Sequence, residues 1–355
     1  MPFLQVNEKR ISLNNLDRWQ PTSPFELNAR KFIRQWLAGK ADFELKTSGS
    51  TGTPKTIRVS RQQMIASARL TLEALNLKKN GTALVCLDTA YIAGKMMLVR
   101  ALLHEMNLIL RTPSSNPLEG LKVQPDFAAL VPLQLQVVLS DRKSTDILNS
   151  MQAVIIGGAP IDASLQHKLD NIKAPLYATY GMTETVSHIA LKKLNGPNRS
   201  DIFEAFKEVE LGQDERECLT IRSVVTNYET IITNDRVRLH GTHRFEWIGR
   251  VDNVINSGGI KVQSEQVEKV IGKVFNELSI NYRCFIAGIP DKHLGERVIL
   301  AVETALPLPE EETILNLLKQ RLGRFEAPKT MLYFTKFIET PTGKVNRKGT
   351  LEKSR

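Results

Sequence analysis

Between residues 83 and 180, short apolar runs alternate with longer amphipathic ones. The runs 83–87, 108–111, 127–131, 153–156 and 176–180 read as strands, and 93–105, 133–139 and 161–169 as helices. Alternation of this kind specifies a parallel sheet with helices on both faces. In such sheets ligands collect beyond the carboxyl ends of the strands. Two groups of unusual residues fall there: Gly157, Gly158, Ala159 and Pro160 after one strand, and Gly181, Met182, Thr183, Glu184 and Thr185 after the next.

Upstream, the stretch TSGSTGTPK at 47–55 lies between a strand-like run at 43–46 and a helix-like one. Glycines let backbone N–H groups approach an anion, hydroxyls add short donors, and Lys55 supplies a charge, so the loop suits phosphate. Pro54 stands where a Walker A loop needs its second glycine, which excludes that pattern. A flexible Ser/Gly linker is the alternative for this stretch taken alone. Ser60 and Gln63 form a capping box, and Met64, Ile65, Ala68, Leu72 and Leu75 follow at helical spacing. Earlier still, 24–37 reads as an amphipathic helix that buries Phe25, Leu27, Phe32, Ile33 and Leu37.

Past Asn195 the runs shorten. Strands at 219–223, 229–233, 237–239 and 244–248 suggest an antiparallel subdomain set on the first sheet. The polar, glycine-bearing stretch GRVDNVINSGG at 249–259 reads as a hinge. Beyond it, helices at 266–277 and 310–322 and strands at 284–288 and 298–303 make a small α+β domain. PTGK at 341–344 presents Lys344 on a Thr-Gly turn.

A length of 355 residues leaves room for one large and one small domain. The formal net charge of +10 comes from dispersed Lys and Arg with no basic block, so no nucleic-acid partner is expected. No apolar run approaches the ~18 residues that span a bilayer, so no membrane is expected either. With no secretory signal evident, a cytoplasmic location is expected. Cys86, Cys218 and Cys284 lie far apart, which argues against a disulfide framework or zinc site and for reduced core residues.

TSGSTGTPK, YGMTET at 180–185, TND with GR at 233–235 and 249–250, and PTGK occur in one order. In that order they resemble the superfamily of acyl-adenylate-forming enzymes, the acyl-CoA synthetases and their relatives. The resemblance implies a large N-terminal adenylation domain over 1–249, a hinge at 250–253 with Asp252 as its pivot, and a small mobile C-terminal lid over 254–355. It implies ATP, Mg²⁺, and CoA as co-substrate, with a carboxylic acid as partner; a homodimer is compatible with it.

By the same resemblance, Thr47, Ser48, Gly49, Ser50, Thr51, Gly52 and Lys55 wrap the β- and γ-phosphates. Gly157, Gly158, Ala159 and Pro160 lie under the adenine, and Tyr180, Gly181 and Met182 line the nucleotide. Thr183 touches the α-phosphate, Glu184 holds Mg²⁺, Asp235 accepts from the ribose hydroxyls with Arg250 assisting, and Lys344 bridges the acyl carboxylate and the α-phosphate. Ser257, Gly258, Gly259 and Lys261 line a pantetheine channel, although Gly258 and Gly259 alone read equally as a turn.

YGMTET followed by VSHIALKKLN is most similar to the o-succinylbenzoate–CoA ligases of menaquinone biosynthesis. Ser187 and His188 then contact the substrate, although a lone His near a core helix, as His188 is, is more often structural. Three departures stand out. Only 46 residues precede the phosphate loop, so an N-terminally shortened domain is expected. The histidine common near the start of the acyl-pocket helix is replaced at Tyr91 or a neighbour, and Asn234 stands where the family carries glycine. Transfer to a carrier-protein thiol and an ATP-binding pseudoenzyme are the competing readings.

Overall fold

The computed structural model describes residues 2–6, 9–46, 56–161, 163–339 and 345–353. β1 (Phe3–Val6) and β2 (Lys9–Ser12) begin the chain and pair with each other antiparallel. α1 (Pro24–Leu37) starts where Ser23 Oγ accepts the Glu26 amide at 3.2 Å and proline sets the first turn. The expected helix is present, but its inward face is rotated. Phe25, Ala29, Phe32, Ile33 and Trp36 are buried, whereas Leu27 and Leu37 are 52% and 53% exposed. Glu26 takes an inward position because Trp19 Nε1 and the Thr22 amide and hydroxyl donate to its carboxylate at 3.4, 3.0 and 3.0 Å.

β3 (Asp42–Lys46) pairs with β4 (Thr56–Ser60) in a two-stranded hairpin apart from the main sheet. Residues 47–55 connect them, so a strand separates the phosphate-loop sequence from the helix it was expected to approach. Ser60 and Gln63 close the capping box of α2 (Arg61–Ala74), with bonds of 3.1 and 3.0 Å. Then follow β5 (Thr82–Val85), α3 (Ile92–Leu103), β6 (Asn107–Leu110), β7 (Phe127–Leu130), α4 (Pro132–Val138), α5 (Arg142–Asn149), β8 (Ala153–Ile156), α6 (Ala163–Lys168) and β9 (Leu176–Gly181). The strand pairs β1–β6, β6–β5, β5–β7, β7–β8 and β8–β9 are all parallel, as the alternation requires.

Six more strands continue the same sheet antiparallel: β10 (His188–Lys193), β11 (Ile202–Ala205), β12 (Val209–Gln213), β13 (Cys218–Ser223), β14 (Ile231–Leu239) and β15 (Arg244–Arg250). The order is β2-β1-β6-β5-β7-β8-β9-β10-β11-β15-β14-β13-β12, thirteen strands among the described residues. The antiparallel region therefore extends the first sheet instead of lying on it. The runs 229–233 and 237–239, read separately from sequence, belong to the one strand β14, whose pairing with β15 shifts register between Arg236 and Val237.

A second sheet holds β16 (Val254–Ser257), β17 (Ile260–Gln263), β18 (Cys284–Asp291), β19 (Gly295–Glu303) and β20 (Met331–Phe334). It packs with α7 (Ser264–Glu277) and α8 (Glu311–Arg321), and α9 (Arg347–Glu352) closes the described chain. The stretch expected as a polar connection thus contains the end of β15, a 3₁₀ turn at Val251–Asn253, and β16. Gln266 Nε2 and Gln263 Nε2 donate to the Ile248 and Arg250 carbonyls at 2.7 and 2.8 Å, laying α7 and β17 against β15. Cys86 and Cys218 are buried and Cys284 is half-buried; burial pushes the Cys86 thiol up to about 12, so it stays protonated.

Candidate active site

The carboxyl ends of β8 and β9 lie side by side, as their parallel register dictates. Gly157 donates its amide to the Leu130 carbonyl at 3.1 Å, and a Cβ there would collide with Thr179 Oγ1. Gly158 has φ +91, a conformation costly for any side chain. The backbone is therefore bare at this strand end, with Ala159 and Pro160 exposed beyond it.

Tyr180 projects from β9 onto Phe245, ring centroids 5.0 Å apart, and its hydroxyl donates to Asp235 Oδ2 at 2.8 Å. Burial and the adjacent carboxylate hold that phenol protonated, far above its ordinary value. Trp247 Nε1 donates to Asp235 Oδ1 at 3.1 Å, and Arg250 NH1 stands 3.7 Å from the same oxygen. Asp235 and Arg250 are cross-strand partners on β14 and β15, which explains their pairing. Arg250 reaches Asp252 Oδ2 at 2.6 Å with its NH2. Asn234 Nδ2 donates to Asp252 Oδ1 at 3.2 Å, and Arg216 NH1 donates to Asn234 Oδ1 at 3.1 Å. Arg236 and Arg238, the sequence neighbours of Asp235, pair elsewhere, with Glu217 and Glu246.

Gly181 sits where a Cβ would meet the Ser187 and His188 backbone, so the β9–β10 connection folds tightly over it. Thr185 is buried and ties the turn: its hydroxyl accepts the Met182 amide at 3.0 Å and lies 2.7 Å from the Ser187 carbonyl. Val186 is held at φ +64, a strained value for a β-branched residue, with its amide on the Thr183 carbonyl at 2.9 Å. Thr183 is half-buried and Glu184 faces solvent on this turn. No cluster of three His, Cys, Asp or Glu among the described residues is placed to hold a metal ion.

Behind the turn lies a group that sequence reasoning missed in part. Arg100 of α3 is 1% exposed. Its NH2 donates to Ser187 Oγ at 2.9 Å and faces His188 Nδ1 at 3.4 Å; its NH1 meets the Met97 sulfur at 3.9 Å, and its Nε has no partner. No carboxylate pairs with it among the described residues. Burial pulls the guanidinium down to about 9, which still leaves it charged at neutral pH. His188 Nε2 stands 3.1 Å from Thr71 Oγ1 on α2, and burial followed by the nearby Arg100 charge draws the imidazole well below its ordinary range. Ser187 and His188 are thus brought together with Arg100. Arg100 interrupting the apolar run from Met96 to Leu103 of α3 was the available signal for it.

Other expected residues fall elsewhere. Tyr91 caps the opposite end of α3 from Arg100, about two and a half turns away, and is exposed. Gly258 and Gly259, at φ +58 and +81, form the two-residue turn of the β16–β17 hairpin, and Gly258 also makes room for Phe325. Ser257 is fully buried, while Lys261 is exposed on β17. Thr47, Ser48, Gly49, Ser50, Thr51, Gly52, Lys55 and Lys344 lie outside the described residues.

This fold, a long mixed sheet followed by a smaller one that is antiparallel except for β19 and β20, is that of adenylate-forming enzymes. It is shared with the O-succinylbenzoate coenzyme A synthetase from Bacillus subtilis solved in complex with ATP and magnesium ion, at a TM-score of 0.71 over 87% of this chain and 69% of that one. Identity is 18%, so that likeness concerns the fold alone. The chain belongs to the AMP-binding enzyme family, whose model matches residues 46–235. The acyl-CoA synthetase (AMP-forming)/AMP-acid ligase II-like protein from Dyadobacter fermentans is 41% identical, covering 97% of this chain and 98% of that one, with a TM-score of 0.65. The 2-succinylbenzoate–CoA ligase of Escherichia coli is 27% identical over 320 residues, 86% of this chain and 67% of that protein. The chain spans about two thirds of the length of that curated relative. No helix among the described residues is long and apolar enough to cross a membrane.

Proposed function

We propose that this chain activates a carboxylic acid as its acyl adenylate and passes the acyl group to CoA, and that the acid carries a second carboxylate, as o-succinylbenzoate does. The observation that carries the substrate reading is Arg100. A buried cation without an acid partner costs stability unless something anionic completes it, and a substrate carboxylate supplies that anion. The names of several relatives, the E. coli ligase among them, point to the same acid.

On the nucleotide side, the bare strand end at Gly157 and Gly158 accommodates a flat base. Asp235 retains lone pairs beyond those used by Tyr180 and Trp247, which suits ribose hydroxyls. ATP, when bound, supplies the phosphorus that the acid's carboxylate attacks. Lys55 and the hydroxyls of Thr47, Ser48, Ser50 and Thr51 hold the departing phosphates, Thr183 and Lys344 steady the charge at the reacting centre, and Glu184 takes Mg²⁺. Residues 1–249 serve as the adenylation unit and 254–355 as a lid pivoting near Asp252, which clears Lys344 from the path of the thiol.

The test is acid-dependent exchange of pyrophosphate into ATP by the whole chain. Exchange with o-succinylbenzoate should far exceed that with benzoylpropionate, which lacks the ring carboxylate, and Lys344→Ala should suppress exchange more than it weakens ATP binding. Exchange with an unrelated acid alone would remove the substrate assignment while leaving the class.

A further inference from the structure

We propose that Thr71 and His188 form a directed hydrogen-bond relay that positions Arg100, and that this relay sets the preference for an acid bearing a second carboxylate. The inference rests on the reading of Arg100 given above. Neither residue of the relay touches the substrate in this account; both act through the guanidinium.

Three elements meet here: α2 contributes Thr71, β10 contributes His188, and α3 contributes Arg100. All three side chains are buried. A guanidinium only donates, so Nδ1, which faces it at 3.4 Å and stands 3.4 Å from Ser187 Oγ, carries no proton and can also accept from that hydroxyl. The ring proton therefore sits on Nε2 and is donated to Thr71 Oγ1 at 3.1 Å. Thr71 can accept because its own hydrogen goes to the Ser67 carbonyl at 3.2 Å, one turn back along α2. Each proton in the sequence Arg100, His188, Thr71, Ser67 thus has one place.

The ring is also held sterically. Phe206 packs on it with centroids 5.6 Å apart, so reorienting the imidazole means moving a buried aromatic. Ser187 Oγ shares the same guanidinium nitrogen, at 2.9 Å. NH2 is consequently the anchored end of Arg100. The Nε hydrogen has no partner and NH1 meets only the Met97 sulfur, so each of these edges of the guanidinium keeps a donor for an incoming carboxylate oxygen. A protonated His188, or one with its proton on Nδ1, would turn a donor toward the guanidinium and push it out of this pose.

The experiment measures kcat/KM in acid-dependent pyrophosphate exchange for o-succinylbenzoate and for benzoylpropionate, in the wild type, Thr71→Val and His188→Leu. Hydrogen bonds to charged groups contribute about 1.5–3 kcal/mol, so the ratio of the two acids should fall roughly tenfold or more in both variants. Equal slowing with both acids, or an unchanged ratio, would overturn the relay, since a merely structural defect does not sense the ring carboxylate. A wild type without any preference between the acids would overturn the Arg100 reading along with it. Nitrogen NMR of the histidine side chains provides a check that needs no variant to fold: His188 should show the neutral Nε2–H tautomer at neutral pH, and an Nδ1–H or doubly protonated ring would refute the relay.

Discussion

Arg100, behind the β9–β10 turn, and Arg250, at the end of β15, are treated oppositely. Arg250 is half-exposed and has two carboxylates within reach, Asp235 at 3.7 Å and Asp252 at 2.6 Å. Arg100 is fully buried and has a serine, a neutral histidine and a methionine sulfur. On the proposed reading, the compensated charge suits a ligand that brings hydroxyl groups, and the open one a ligand anion.

The largest expected effect breaks this contrast at its open end. Arg100→Met should lower kcat/KM for o-succinylbenzoate about 10²–10³-fold, matching the 2–5 kcal/mol typical of a truncated buried charge pair. The same substitution should raise the melting temperature of the ligand-free protein, because it removes an uncompensated buried cation. A fall in both would mean that Arg100 has a structural anion after all.

Asp235→Ala attacks the closed end. It strips an acceptor from Tyr180 and Trp247, so the ligand-free protein should lose about 1–3 kcal/mol in denaturant unfolding and the KM for ATP should rise roughly tenfold or more. Arg250 retains Asp252, which limits the damage. A variant that lost stability with an unchanged KM would detach Asp235 from the nucleotide.

The smallest effect lies in pH. His188 has a folded-state pKa depressed below its unfolded value, so the unfolded chain binds a proton more readily and stability is lost as pH falls below about 6.5. The slope contributed by one such group cannot exceed about 1.4 kcal/mol per pH unit. His188→Leu should flatten the acid limb of the stability curve by that much or less, while Arg250, paired and half-exposed, adds no comparable feature.

The parallel sheet was legible because its strands are apolar on both faces and bounded by helices at regular intervals. Ser60 and Gln63 fixed the start of α2 for a local reason, a capping box that needs no tertiary partner. Leu27 and Leu37 were misassigned because side-chain polarity does not report saturation: Glu26, with its donors from Trp19 and Thr22, is the better-buried residue. The hairpin strand β4 was hidden beside a loop rich in turn formers, and the short β1 and β2 carried too few residues to show alternation. In the site, Asp235, Tyr180 and Arg250 could be grouped by motif order. Thr71 and Trp247 could not, since a threonine within a helix and a tryptophan on a strand read as ordinary packing until their partners are seen.

At the far edge of the long sheet lies β2, four residues reading Lys9, Arg10, Ile11 and Ser12, three of them exposed. Short length and positive charge discourage an edge strand from recruiting another sheet. Inside it, β1 covers β6, whose Leu108, Ile109 and Leu110 are buried. Residues 1–12 carry none of the proposed chemistry, yet trimming them would bare an apolar strand with unpaired amides and carbonyls. Within the described sheet, β1 and β2 thus cover an edge that β6 would otherwise offer to another chain as a template for pairing.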